Sequence, residues 1–558
     1  MNSMTCTIGD YLLLRLKEMG VKHIFGVPGD FTLGFLDQIE ATEHLEWVGN
    51  CNELNAAYAA DGYARINGIA ALVTTFGVGE LSAINGIAGS YAEQLPVVKI
   101  TGSPATNVVI SGAYVHHTLG DGDFTHFSKM FEGVTVAQTT LTEENAVAEI
   151  DRVLQACWLH KRPVYIILPS DICSKEITAP KSPIRLSEFK IEINQMNTFL
   201  NLALEKINQA KFPVILADYE INRYHLNEQL KNFVNQSGFP IASLSMGKGV
   251  IDENHPQFIG IYTGSLSDPY VRSRIEDADC ILSIGVKLTD TLTGGFTHQI
   301  DENKLIELHP SYASINQETY HSVSMSRILE HLTERVIHRD NETQNIQPFY
   351  KRESDDRFMP TTKALSQKFF WKQLNRFLNK DDVLLVETGT PYFGASDLLL
   401  PEKSTFIGQP LWGSIGYTLP ALLGSQIANP KRRNILVIGD GSFQLTVQEL
   451  STILSNKLKP IIILINNDGY TVERVINGPY EKYNDINMWK YTQLPEVLDM
   501  DGNSISMVAK NEQELVDVFN LANDQDKLVF IEVIMDRLDV PELLGSLGKI
   551  LAKQSEIQ

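Results

Sequence analysis

The segment from Ile435 to Tyr470 constrains the fold more than any other. An apolar run, Ile435-Leu-Val-Ile438, breaks into Gly439-Asp440-Gly441-Ser442. A helical pattern follows through Gln448-Glu-Leu-Ser-Thr-Ile-Leu454. A second apolar run, Pro460-Ile-Ile-Ile-Leu-Ile465, then ends in Asn466-Asn467-Asp468-Gly469-Tyr470. Two strands joined by a crossover helix pair in parallel, so both strand ends emerge at one carboxyl edge of a sheet. Asp440 and Asn467 are therefore expected to meet there. By itself Gly-Asp-Gly is also an ordinary tight turn. The asparagine pair ending the neighbouring strand is what tells the two readings apart.

The residue types suit a magnesium ion, which takes about six hard oxygen ligands and often shares them with phosphate. Asp440 offers a carboxylate, Asn467 an amide oxygen and the Gly469 region a backbone carbonyl. Gly441 allows close approach of phosphate, and Ser442 is expected to start a helix whose free N–H groups favour an anion.

The rest of the chain repeats the same grammar. Pro163-Val-Tyr-Ile-Ile-Leu168, Pro213-Val-Ile-Leu-Ala217 and Cys280-Ile-Leu-Ser-Ile284 are short apolar runs between helical patterns. They predict α/β layers with parallel sheets flanked by helices. At roughly 100–200 residues per domain, 558 residues predict three domains. Linker-like stretches at about 174–196 and 338–362 place them at 1–180, 196–340 and 360–558. The spacing from Gly77 to Pro96 equals that from Gly441 to Pro460, a hint that the first and last domains are duplicates.

A net charge of −21 argues against nucleic acid or an anionic membrane as partner. No apolar run reaches the roughly 18 residues of a membrane span. The first helical pattern, Ile8-Gly-Asp-Tyr-Leu-Leu-Leu-Arg-Leu-Lys-Glu18, is amphipathic and unlike a signal peptide. Cys6, Cys51, Cys157, Cys173 and Cys280 are scattered without a CxxC pair, which suits free thiols in a cytoplasmic protein.

Gly439-Asp440-Gly441, followed by 24 residues and Asn466-Asn467, resembles the thiamine diphosphate motif. The likeness extends over essentially the whole chain, including Gly26-Val-Pro-Gly-Asp30 and Gly408-Gln-Pro-Leu-Trp-Gly-Ser-Ile-Gly416. It is nearest to bacterial branched-chain 2-oxo acid, indolepyruvate and phenylpyruvate decarboxylases. The resemblance implies a thiamine-diphosphate-binding fold in the first and last domains, which hold the pyrimidine and the diphosphate with Mg2+. It also implies a homodimer or homotetramer with active sites at the chain interface. The implied reaction is non-oxidative loss of CO2 from a 2-oxo acid through a carbanion at C2 of the cofactor, leaving an aldehyde.

The same resemblance assigns roles. Asp440, Asn467 and the Gly469 carbonyl hold the metal. Glu53, in Cys51-Asn-Glu-Leu-Asn-Ala-Ala-Tyr58, activates the aminopyrimidine. Ile415 wedges the cofactor bent, the Gly413 carbonyl accepts its amino group, and Thr390 is a further contact. His116 and His117, within Gly112-Ala-Tyr-Val-His-His-Thr-Leu-Gly-Asp-Gly122, join Asp30 and Glu473 as a proton network. Without the family, each has a plainer reading: a helix-surface glutamate, a loop histidine pair, a turn aspartate, a partner for Arg474.

For substrate, Leu292, Tyr392, Phe393, Val472, Ile476, Leu547 and Leu551 resemble pocket residues. Valine at 472 leaves room for a branched acid such as 3-methyl-2-oxobutanoate or 4-methyl-2-oxopentanoate. A bulky Tyr392 is expected to disfavour a full indole. Carboligation, and a cofactor-binding assembly protein without turnover, are the competing readings.

Overall fold

The computed structural model describes residues 3–340, 344–351 and 359–556. The stretch expected as a second linker, 338–362, lies partly outside them. Among the described residues the strands form three large sheets and one two-stranded ribbon.

The first sheet runs Glu46–Gly49, His23–Gly26, Ala70–Thr75, Val97–Ser103, Val164–Pro169, Gln138–Thr140. The last runs Thr405–Ile407, Val383–Val386, Asn434–Gly439, Ile461–Asn466, Leu528–Ile534, Ser504–Ala509. Both are wholly parallel. Numbered along the chain within each sheet, both have the order 2-1-3-4-6-5. The equal spacing of Gly77–Pro96 and Gly441–Pro460 thus reflects one wiring used twice. Central strands such as Ala70–Thr75 are buried on both faces, which is why they read as unbroken apolar runs.

The middle sheet departs from the purely parallel expectation. Its order is Phe258–Ile261, Ile241–Ser243, Pro213–Ala217, Cys280–Ile284, Leu305–Leu308, Tyr312–Ile315, Glu318–His321. The last two pairings are antiparallel. Asn316 and Gln317 turn that hairpin with φ of 53° and 64°, the mirror-image turn that matches strand twist. Asn-Gln lacks the glycine that usually announces such a turn. The stretch 174–196 is likewise not all linker, because Glu176–Pro180 pairs with Ser3–Thr7.

First and last domains share one core through two small-residue helices. Helix Glu53–Asn67 begins where the Asn52 side chain accepts the Asn55 N–H at 2.8 Å, and ends at Gly68 with φ 93°. It lies against helix Thr418–Ala428. A Cβ at Gly62 would fall 2.2 Å from the Ala421 carbonyl oxygen, and one at Gly424 would fall 1.8 Å from that of Ala59. Backbone meets backbone there. Beside it Asp61 accepts from Arg65 at 2.8 Å and from the Tyr417 hydroxyl at 2.5 Å, while Arg65 also reaches Glu93 at 2.8 Å. Each buried charge is paired, as burial requires. Among the described residues no helix is long and apolar enough to cross a membrane.

Candidate active site

The carboxyl edge of the last sheet carries the site. Strand Asn434–Gly439 delivers Asp440 directly into a helix, Asp440–Thr446, which starts two residues earlier than expected at Ser442. The expected single helix is broken, resuming at Glu449–Ser455. Asp440 is buried and accepts N–H groups from Gly441 at 2.8 Å and Gly469 at 3.2 Å. Among the described residues no basic side chain pairs with it, and burial pushes its carboxyl up to about 7. A Cβ at Gly441 would lie 2.6 Å from the Tyr470 ring, so that ring occupies the room the glycine leaves.

Asn467 closes the group. In one orientation its amide oxygen lies 3.2 Å from the Gly469 carbonyl oxygen and 3.3 Å from Asp440 Oδ1. In the other its nitrogen donates to both and its oxygen accepts from Thr471 at 3.0 Å. Three oxygens, one of them from a buried carboxylate without a basic partner among the described residues, fit a small hard cation such as Mg2+.

A cavity of about 290 Å3 opens from this cluster. Thr390, Gly413, Ile415, Gly441 and Ser442 line it with the metal-type oxygens. Its far wall is apolar: Phe393, Val472, Ile476, Leu547 and Leu551, joined by Leu544. Two expected pocket residues lie elsewhere. Tyr392 is buried in the last domain's core and its hydroxyl donates to Ser245 Oγ at 2.8 Å. Leu292 packs into the middle domain's core, and its neighbour Thr291 reaches the cavity instead. A dipeptide's two side chains point apart, and Tyr392-Phe393 puts only Phe393 on the cavity.

Glu387, not singled out from sequence, also lines the cavity. It follows strand Val383–Val386 at the same sheet edge as Asp440. Burial pushes it up to about 7, although the Thr418 hydroxyl at 2.5 Å and the Thr388 N–H at 3.1 Å partly stabilise its charge. A glutamate closing the apolar run Val383-Leu-Leu-Val386 was its sequence signal.

The first domain gathers a separate cluster at the equivalent edge of its own sheet. His116 Nε2 lies 2.6 Å from Asp30 Oδ2 and His117 Nε2 3.7 Å from Asp30 Oδ1. The His116 ring stacks on Phe31 at 5.0 Å. Gly77, with φ 60°, abuts this loop, since a Cβ there would fall 1.9 Å from the His117 carbonyl oxygen. Glu53, half-buried at the first turn of its helix, approaches Gly79 on the same edge. Asp30, Glu53, His116 and His117 do not line the cavity, whereas Glu473 does. Within one chain the expected catalytic groups form two separated sets, and Asp30, His116 and Glu473 face solvent.

Comparison with known proteins identifies the class. Residues 6–124, 200–332 and 388–533 match the N-terminal thiamine pyrophosphate-binding, central, and C-terminal thiamine pyrophosphate-binding domains of the thiamine pyrophosphate enzymes. Thiamine diphosphate, with its companion Mg2+, is thus the cofactor of this fold. The chain is 43% identical over 542 residues to an alpha-keto-acid decarboxylase of Mycolicibacterium paratuberculosis, covering 97% of this chain and 96% of the relative. It is 42% identical over 549 residues to the alpha-keto-acid decarboxylase of Mycobacterium tuberculosis H37Rv, covering 98% of each. The chain belongs to the thiamine-diphosphate-dependent 2-oxo acid decarboxylase family, the carboxy-lyases of this class.

Proposed function

We propose that this protein decarboxylates branched aliphatic 2-oxo acids, 3-methyl-2-oxobutanoate and 4-methyl-2-oxopentanoate foremost, to the aldehyde and CO2. The observation that carries the reading is the aliphatic wall of Val472, Ile476, Leu544, Leu547 and Leu551 beside the Asp440–Asn467 oxygens. Burying one branched side chain against such a wall is worth roughly 1.5–3 kcal/mol. Phe393 adds an aromatic ring to that wall. With Tyr392 turned into the core, phenylpyruvate is the second candidate.

Asp440, Asn467 and the Gly469 carbonyl would hold Mg2+, and Gly441 and Ser442 the diphosphate. When bound, thiamine diphosphate supplies the nucleophilic carbon and the electron sink for losing CO2. Thr390 and the Gly413 carbonyl would orient it, Ile415 would support it from below, and Glu53 would face its pyrimidine. Asp30 Oδ2 and His116 Nε2 hold a proton between them, with His117 adjacent, for delivery to the new aldehyde carbon. Glu473, bordering the cavity, assists departure of the carboxylate and the product.

Both sets of groups must serve one reaction, so a second copy of the chain is the proposed partner. Its first domain would bring Asp30, Glu53, His116 and His117 to the cavity of the other. Exposed Ile110, Tyr114 and Leu119 beside the histidine loop, and Leu445 and Tyr480 around the cavity's domain, support such a covered face.

A panel of branched, aromatic and short 2-oxo acids tests the proposal, with and without thiamine diphosphate and Mg2+. Cofactor-dependent aldehyde release fastest from the branched acids is expected. Preferential turnover of pyruvate would overturn the substrate reading, and acyloin as main product would replace release by carboligation.

A further inference from the structure

A second cavity, of about 420 Å3, lies away from the active site between the first and middle domains. Its walls come from the end of helix Ala146–His160, the segment around Phe189, and the start of helix Met325–Arg335. Lys161 lines it. That residue caps its helix in the left-handed region, φ 50°, which turns its side chain back over Trp158.

Lys161 is only 4% exposed. Its Nζ sits 3.3 Å from the Trp158 ring centroid and 5.9 Å from that of Tyr224. Among the described residues it has no ion pair and no side-chain hydrogen bond. An aromatic face attracts an ammonium by about 0.5–2 kcal/mol, less than desolvating that ammonium costs. Burial wins, and the Lys161 amine is pushed down to about 8. At pH 8 it carries roughly a hundredfold more neutral, nucleophilic amine than an ordinary lysine.

The cavity also holds groups that can receive an anion. His225 and the Arg327 guanidinium share the cavity, as do the hydroxyl-bearing Ser187, Ser324 and Ser326. Lys161 itself helps push the His225 imidazole below its usual value, after burial, so the two repel as cations. Helix Met325–Arg335 points its first turn here, where free N–H groups welcome negative charge. Glu188 and Glu330 also line the cavity, and Glu188 is drawn toward Arg327 at 3.7 Å.

We propose that Lys161 is a carbamylation site, at which its amine takes up carbon dioxide and holds it as a carbamate in this cavity. The Nζ lone pair forms a bond to the carbon of CO2. One C=O electron pair moves onto oxygen, and one N–H proton leaves to solvent. Nothing is oxidised or reduced. Carbon dioxide is a product of the family's reaction, and the proposal is independent of which 2-oxo acid is used. The step replaces a cation over Trp158 by an anion in a cavity that Arg327 and the start of helix Met325–Arg335 also line.

The test uses the full-length holoenzyme in 13C-bicarbonate at pH 8, with trapping by an alkyl oxonium salt and peptide mass spectrometry. Lys190, which is fully exposed and paired with Glu192, is the internal comparator. Trapped carbamate on Lys161 many-fold above that on Lys190 is expected. The matching 13C carbamate resonance should disappear in Lys161→Arg, which keeps the charge over Trp158. Labelling of Lys161 no greater than that of Lys190 would overturn the proposal, and that comparison needs no variant to fold.

Discussion

At the scale of residues, Asp440 and Glu387 are buried carboxyls doing different work. Asp440→Ala removes the charge on which the oxygen cluster centres. Calorimetric titration should then show Mg2+-dependent binding of thiamine diphosphate weakened at least about a hundredfold, in line with roughly 3 kcal/mol for a charged ligand's loss. Retained affinity would move the metal site elsewhere. Glu387 is raised from 4.5 to about 7. The unfolded chain gives up that proton first, so this group's contribution falls as pH rises from about 4.5 to 7. The loss is of order 3 kcal/mol. In Glu387→Gln, cofactor-free protein should lose less melting temperature between pH 5 and pH 8 than wild type; an unchanged slope would refute this. Asp440 and Asn467 were legible in sequence because each ends an apolar run at matching height. Tyr392 and Leu292 were misplaced because a family position does not state which way a side chain points. Tyr392 went to the core, where Ser245 satisfies its hydroxyl.

At the scale of elements, helix Glu542–Glu556 closes the apolar wall by lying against helix Thr471–Ile476. Gly548 sets that approach: a Cβ there would fall 2.3 Å from Val475 Cγ1 and 3.2 Å from the Val475 carbonyl oxygen. Gly548→Val should cost about 1–3 kcal/mol through overpacking and push the helix off Val472 and Glu473. KM for the 2-oxo acid should rise while cofactor affinity holds, because Asp440 and Asn467 lie on other elements. Equal loss of cofactor affinity would show that the helix serves the metal loop instead. Parallel strands with both faces buried were plain in the sequence as unbroken apolar runs. The Tyr312–His321 hairpin was not, since its Asn316-Gln317 turn lacks the usual glycine. Nor was the Glu176–Pro180 strand, whose partner Ser3–Thr7 lies at the far end of the domain.

At the scale of the whole molecule, one wiring diagram appears twice, and each copy carries half the expected chemistry at its sheet edge. A mixing experiment asks whether one chain's halves serve each other. Glu53→Gln and Asp440→Ala proteins, each expected to be inactive alone, are unfolded together and refolded as a mixture. If sites form between chains, about a quarter of wild-type sites should return by random pairing in a two-fold dimer. If each chain builds its own site, none returns. The repeat was hinted at by one equal spacing, but the separation of its two halves was expected only through the family resemblance, because spacing along a chain says nothing of distance between domains. The contact of helix Glu53–Asn67 with helix Thr418–Ala428 bears on motion. With Gly62 against Ala421 and Gly424 against Ala59, backbone to backbone, neither helix can slide or roll without collision. The first and last domains of a chain are therefore keyed together along this seam, so a displacement of one carries the other with it.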